Sequence, residues 1–584
     1  MSVKTVNRTY GNFRGVDFSN DEVNLYRSPD SVNMWKNFDL GEGIETRPGM
    51  TLLGEFGSRI FGLFFYKIEN VLQVIVHAGT KLYRWDNFPQ TPVAKTELYI
   101  NMKPNYSQHF VFNNVLFIKD GINYLEYDGE VCKEVVGTVP ITRLGTTPSG
   151  QIYKDNVDYV YQDVNCLSNL RKNGFVADGE SREYHLDSTD LDSASIYIMN
   201  ATVNGVAKLE AVDFTVDRKN GIVKFNEVPP APLEDGDSNV IITYSKTNTE
   251  SKNRVNKSTI LVEFDNRIFF SGNQDYPNTI FHTELEDPRY VSTQGYSTVG
   301  LDTASVKALV PGNDILWVFK ETIQNYSNVY YLTPTIDSEQ GKIYPSVVGN
   351  ISTGCVSTGI NFNDDICFFS TKGLEAIGKT LGNDQILEHR SSLVDAKLIS
   401  NKDYLNIKLA EYRGYLMCLL DSKIFLADSR NLFERTSGKV EYEWFYWELP
   451  FGINYFTEYQ GDLYLANTDG QIFILEGTTD NEVNIYSKWT TTKDTFGYDS
   501  YRKITNKRGG TASVKEKNND SINLKTITEI RSNNIGSYND SKGYLVYRIK
   551  EKKFKWIQLE FSSNKPFGLF SCTLEAFIGG YVKR

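Results

Sequence analysis

The chain has 584 residues, 40% hydrophobic and 13% aromatic, which is longer than one core usually serves and too apolar for disorder, so two to four folded domains are expected. No apolar run approaches the roughly 20 residues that cross a bilayer, and the start MSVKTVNRTYGNF lacks the apolar core of a signal peptide. A membrane-spanning helix and a secreted precursor are therefore not expected. The net charge of −11 is uneven: residues 502–584 carry 17 Lys and Arg against 7 Asp and Glu, a balance of +10, which leaves −21 for residues 1–501.

Residues 1–55 read as an N-terminal arm. FRGVDFS (Phe13 to Ser19) is followed by RSPDSVNMW and then by GIETRPGM. Ser28, Pro29 and Asp30 are a turn or helix-start signal, and Arg47, Pro48 and Gly49 form a second turn. The physical expectation is an extended arm that closes a ring of repeats or latches onto a neighbour.

From residue 56 a pattern recurs seven times: a strand end, a tight polar turn, then a run of Leu, Ile, Phe and Val. The turns lie near Asn70, Asn114, Asn266, Asn313, Asp364, Gly414 and Gly461, at intervals of 44, 152, 47, 51, 50 and 47 residues. Asn, Asp and Gly tolerate the positive φ that tight hairpins demand, and in five repeats a second turn follows, at Gly79, Gly121, Gly373, Ser422 and Gly470. An all-strand repeat of roughly 40–50 residues is the signature of propeller blades. The fold expected is all-β: a β-propeller of about seven blades with an inserted small β module and a C-terminal β module. Blades fall in 56–150 and 257–480.

The interval of 152 is one period plus an insertion of about 107 residues, assigned to residues 151–256. Asn204-Gly205, Asn220-Gly221 and the prolines from Pro229 to Pro232 punctuate it as hairpins and loops. After about Asn481 the period is lost, and residues 481–584 read as another β module, with loops expected at Gly509-Gly510 and Asn533-Asn534. Its KEKKFKW stretch offers Lys550, Lys552, Lys553 and Lys555 as a candidate docking surface for a partner protein or nucleic acid; the plain alternative is one polar strand edge.

Chemistry-bearing patterns are sparse. His77, His109, His185, His282 and His389 are dispersed, the six cysteines form no C-x-x-C pair and read as buried hydrophobes, and no metal or cofactor is expected. Asp187, Asp190 and Asp192 lack the Gly and terminal Glu of a calcium loop and read as a solvated acidic stretch. Asp364 and Asp365 are explained by a hairpin without the paired-carboxylate role of a glycosidase. Trp444 and Trp447 would share a ligand-stacking face only if their strand bends. The chain is not expected to be an enzyme.

The order FRGVDFS, SPDSVNM, ETRPGM resembles the start of tail and neck proteins of tailed bacteriophages, the group named packaged-DNA stabilization or tail nozzle proteins. FFSGNQDYPNTIFHTELEDPRYVS, Phe269 to Ser292, is similar to a segment of that group. The resemblance makes Phe13, Asp17, Ser28, Pro29, Asp30, Asn33, Arg47, Pro48 and Gly49 a candidate assembly arm. It implies a virion structural protein, assembled in the bacterial host cytoplasm as a ring, commonly a hexamer, beneath the portal and its adaptor. Such a ring would meet tail fibre or other tail proteins and pass double-stranded DNA. The competing expectations are a host-surface binder of glycan or receptor, and a glycan-cleaving propeller.

Overall fold

The computed structural model describes residues 4–19, 23–38, 43–154, 161–312, 314–337, 341–378, 386–434, 440–505, 510–516, 522–535, 537–540 and 544–581. The chain is all-β and of the propeller class: seven antiparallel blades of four strands follow one another along it. Blade one runs from Ile60–Ile68 to Lys95–Tyr99, blade two from Gln108–Phe112 to Cys132–Glu134, and blade three from Ile260–Phe264 to Tyr296–Thr298. Blade four runs from Val306–Pro311 to Ser346–Val348, blade five from Gly359–Phe362 to Ile386–His389, and blade six from Lys408–Tyr412 to Val440–Glu448.

Each recurring turn joins the first two strands of a blade. In six blades both central residues are left-handed, as in Asn113-Asn114 (φ 48° and 59°) and Gln460-Gly461 (φ 55° and 90°), which matches the right-handed twist of the flanking strands. Asn313 lies outside the described residues.

Blade seven holds Ile453–Tyr459, Asp462–Asn467 and Gln471–Leu475, and its fourth strand is Met50–Glu55, the end of the arm, paired antiparallel with Met50 opposite Leu475. The segment that opens blade one therefore completes blade seven. The chain that leads into blade one is thereby held to blade seven by sheet hydrogen bonds.

By internal contacts the chain divides into two compact units, residues 1–65, 72–100 and 353–584, and residues 66–71 and 101–352. In the first unit, Lys4–Gly11 zips antiparallel along the last strand, Gly568–Tyr581, over eight residue pairs. Met34–Trp35 pairs blade six while Ile44–Thr46 pairs the last strand, so one sheet runs from blade six through the arm into the C-terminal module. Trp35 is 1% exposed and stacks on Tyr412 with Trp447 edge-on at 5.5 Å. The module's second sheet contains Ser487–Thr490, Asn523–Thr528, Ser532–Ile535 and Ile557–Ser563. Asn533 and Asn534 pair with Thr526 and Lys525, so they are strand rather than the expected loop; the turn sits at Glu529-Ile530, capped by Thr528 Oγ1. Gly510 likewise begins a strand, while Gly509 lies outside the described residues.

In the second unit the insertion folds as two sheets around Phe175, Tyr184, Phe214, Val223, Phe225 and Tyr244. One sheet has five strands, beginning at Ile141–Thr146, and the other three. Asn204-Gly205 turns a hairpin, and the Asn220-Gly221 turn packs so tightly that a Cβ on Gly221 would lie 2.0 Å from the Ser188 carbonyl oxygen. Helix Thr249–Asn256, N-capped by Asn248, leads out of the module.

Candidate functional site

The arm residues are built into the chain's own closing seam. Phe13 is buried edge-on against Trp489 at 5.2 Å. Gly15 is left-handed (φ 75°), and a Cβ there would lie 2.1 Å from the Trp444 carbonyl oxygen. Asp17 is buried and accepts hydrogen bonds from the Ser19 amide and hydroxyl. Ser28 Oγ accepts from the Asp30 and Thr490 amides; Ser28, Pro29 and Asp30 make a turn and no helix. Exposed Asp30 meets Lys488 at 2.5 Å.

Arg47 organises the seam. Its side chain is 1% exposed and grips Asp480, itself 6% exposed, with both arms of the guanidinium, at 2.8 and 2.6 Å. The remaining donors reach Asn33 Oδ1 (3.0 Å), the Pro48 carbonyl (2.9 Å) and the Glu448 carbonyl (3.2 Å). Asn33, held at φ 58°, accepts from the Glu448 amide as well and donates to the Tyr486 carbonyl. Gly49 lies against Thr479, where a Cβ would come within 2.1 Å of the carbonyl oxygen. An Asn, Arg and Gly of the arm thus lock blades six and seven to the strand at Thr479-Asp480.

A cavity of about 370 Å³ opens beside this lock, lined by Asp30, Asn33, Arg47, Lys397, Tyr446 and Lys488 among others. The Lys397 ammonium sits over the Phe18 ring at 3.8 Å and the Tyr446 ring at 4.7 Å. Burial lowers its pKa, with Asp30 and Glu448 opposing. Arg47, Lys397 and Lys488 are balanced by Asp30, Glu448 and Asp480; the arrangement ties arm to blade by cation–π and ionic contacts.

The candidate docking residues Lys550, Lys552, Lys553 and Lys555 are all exposed. No carboxylate pairs with them among the described residues. Their acidic neighbours are engaged elsewhere: Glu551, 2% exposed, accepts from Thr526 Oγ1, Asn533 Nδ2 and Arg531 Nε, and exposed Glu529 accepts from the amides of Lys555 and Trp556. Glu551 and Phe554 are buried while the four lysines face out, and Lys553 adopts φ 61°.

One cluster was not signalled by sequence spacing. In blade five, His389 Nε2 lies 2.6 Å from Asp395 Oδ2 and its Nδ1 lies 3.2 Å from Glu375 Oε1; Ser391 Oγ donates to the other Asp395 oxygen at 2.6 Å. Burial opposes the imidazolium, but the hydrogen bonds and charges of Asp395 and Glu375 outweigh it and hold His389 at about 9. With a folded pKa above the ordinary 6.5, the clamp contributes fully below pH 6.5 and is lost as pH rises through about 9. Thermal unfolding across that window should show His389→Gln less stable at the acidic end, on the order of 1–3 kcal/mol, with the two proteins converging at the alkaline end. Parallel curves for the two proteins would contradict this clamp.

The other singled-out residues are accounted for locally. Asp187 accepts from Tyr244 Oη, and Asp192 accepts from Ser245 and Thr247 hydroxyls; among the described residues no group of His, Cys, Asp and Glu is arranged to hold a metal. Asp364 occupies the blade-five hairpin at φ 65°, and Asp365 pairs Arg390 and accepts from Tyr442. Trp444 and Trp447 are buried in two different clusters on opposite faces of their strand. None of the six cysteines is in a disulfide, and five are buried.

No family model and no curated protein matches the chain. Among solved structures it is similar to BamB from Moraxella catarrhalis (8% identity, 81% of this chain and 97% of that one, TM-score 0.32). It is also similar to the computationally designed Ika8 protein (9%, 73% and 99%, 0.30) and to Sqt1 from Saccharomyces cerevisiae (10%, 74% and 99%, 0.22). Overlaps this loose carry no functional argument, and the propeller class rests on the strand order and register of the blades.

Proposed function

We propose that this chain is a structural component of a bacteriophage virion tail or neck. Several copies form a ring, or nozzle, that extends the DNA exit channel, helps retain packaged DNA and anchors other tail proteins. The reading rests first on the ordered motifs FRGVDFS, SPDSVNM and ETRPGM, which resemble the arm of that group. Support comes from how these residues are used: they are spent on closing the chain's own blades, the role of a rigid scaffold. Charge adds to it. A body at −21 and a basic end at +10 are complementary between copies, and a head-to-tail contact between unlike surfaces makes a ring when its rotation closes.

An acidic channel lets duplex DNA slide, whereas a basic lining would hold phosphates through counterion release, at a cost growing with each contact. Cryo-electron microscopy of the purified full chain tests this. A closed ring with carboxylates along the channel is expected, and a continuous basic lining would overturn the conduit reading. The second reading, a host-surface binder, is favoured by one observation, the cavity on blade three.

A further inference from the structure

Blade three carries a cavity of about 370 Å³ lined by Arg254, Tyr276, Thr279, Phe281, Gln294 and Tyr296, with Thr293 at its edge. That volume lies within the roughly 300–1,000 Å³ usual for small-ligand sites and suits one or two sugar rings. Much of it is built from the Phe269 to Ser292 stretch, which the closing seam leaves unused. Phe281 is buried as the floor, with Tyr276 edge-on at 5.6 Å and Tyr296 at 6.4 Å on the other side. Tyr296 remains 45% exposed, so one aromatic wall is open to solvent.

The charge inside is unbalanced. No carboxylate lines the cavity; the nearby Glu250 is occupied by Tyr276 Oη at 3.0 Å, and Asp275 by Lys257 at 2.7 Å. Arg254, presented by helix Thr249–Asn256, lies 5.7 Å from the Tyr276 ring and donates from Nη1 to the Thr293 carbonyl at 3.2 Å. Its Nε is buried away from the cavity, and the side chain also hydrogen-bonds the Cys166 thiol. A guanidinium lining a partly dry site without a carboxylate is the group that recognises carboxylate or phosphate oxygens, while tyrosine faces take a sugar ring and Thr and Gln side chains its hydroxyls.

We propose that this cavity binds an anionic sugar, its carboxylate or phosphate held by Arg254 and its ring laid against Tyr296. The inference does not depend on the ring reading, since a site on one blade serves a single chain or an assembly alike.

The test is saturation-transfer NMR on the full chain with glucuronic acid, glucose 6-phosphate and glucose as separate probes. At least one acid should bind about tenfold or more tighter than glucose, the scale of one charge-assisted contact; which acid does so assigns the anion. Arg254→Gln should erase the preference for acid over glucose, and Tyr296→Ala, at a solvent-exposed position, should weaken the preferred acid. No transfer to either acid, equal transfer to glucose, or binding indifferent to Tyr296→Ala would overturn the proposal, as would a folded Arg254→Gln protein that keeps the preference.

Discussion

Replacing Arg47 by Met is expected to destabilise the protein by about 3–5 kcal/mol, the cost of stripping one partner from a buried ion pair. Asp480, 6% exposed, would lose its bidentate partner, and the acceptors at Asn33, Pro48 and Glu448 would lose their donor. Arg47→Lys should rescue little, because one ammonium with three donors cannot reach acceptors spread around a planar fork. Asp480→Leu should cost a similar amount. The double variant Arg47→Met with Asp480→Leu should be more stable than either single change, since it removes both buried charges together. Urea unfolding of the four proteins measures this; a double variant that merely sums the two losses would show that Arg47 and Asp480 are not coupled.

The lock explains why the arm is a motif-bearing segment. Met50–Glu55 can complete blade seven only if the chain arrives at Met50 in register, and Gly49 pressed on Thr479 with Arg47 on Asp480 fixes that arrival. The arm also carries Lys4–Gly11 along the edge of the last strand, where Tyr10 and Arg8 both reach the buried carboxylate of Asp494. An open edge on that strand would be a template for unwanted pairing; the arm covers it.

The blades were legible because their hairpins depend on local chemistry. A pair such as Asn113-Asn114 or Arg413-Gly414 takes two consecutive left-handed conformations, and few residue types do so at low cost. The break in spacing that isolates the inserted module was legible for the same reason.

What sequence could not give are contacts set by distant pairing. Arg47 and Asp480 are 433 residues apart, and nothing local to RPGM says that its arginine will be buried. The fourth strand of blade seven was hidden likewise, as Met50–Glu55 precedes every repeat. His389, Glu375 and Asp395 are close in sequence, yet they meet only because Ile386–His389 pairs Gly373–Gly378 and the turn at Ser391 swings the short helix Asp395–Leu398 back over it. The blade-three cavity draws Arg254 from helix Thr249–Asn256, which lies within the span 151–256 that the spacing assigns to the inserted module.

The central claim, that many copies of this chain form one particle, is tested most directly by its mass in solution. Sedimentation equilibrium of the purified full chain at low salt should give a defined multiple of the 66.5 kDa chain. That multiple should fall as salt shortens the screening length towards about 10 Å near 0.1 M. Reversing Lys550, Lys552, Lys553 and Lys555 to Glu should abolish assembly at all salt concentrations while leaving thermal unfolding of the single chain nearly unchanged, because these side chains are exposed and hold no partner among the described residues. Loss of assembly on reversal would assign the basic end to the contact between copies. A single-chain mass for the unaltered protein at every concentration and salt would contradict the account.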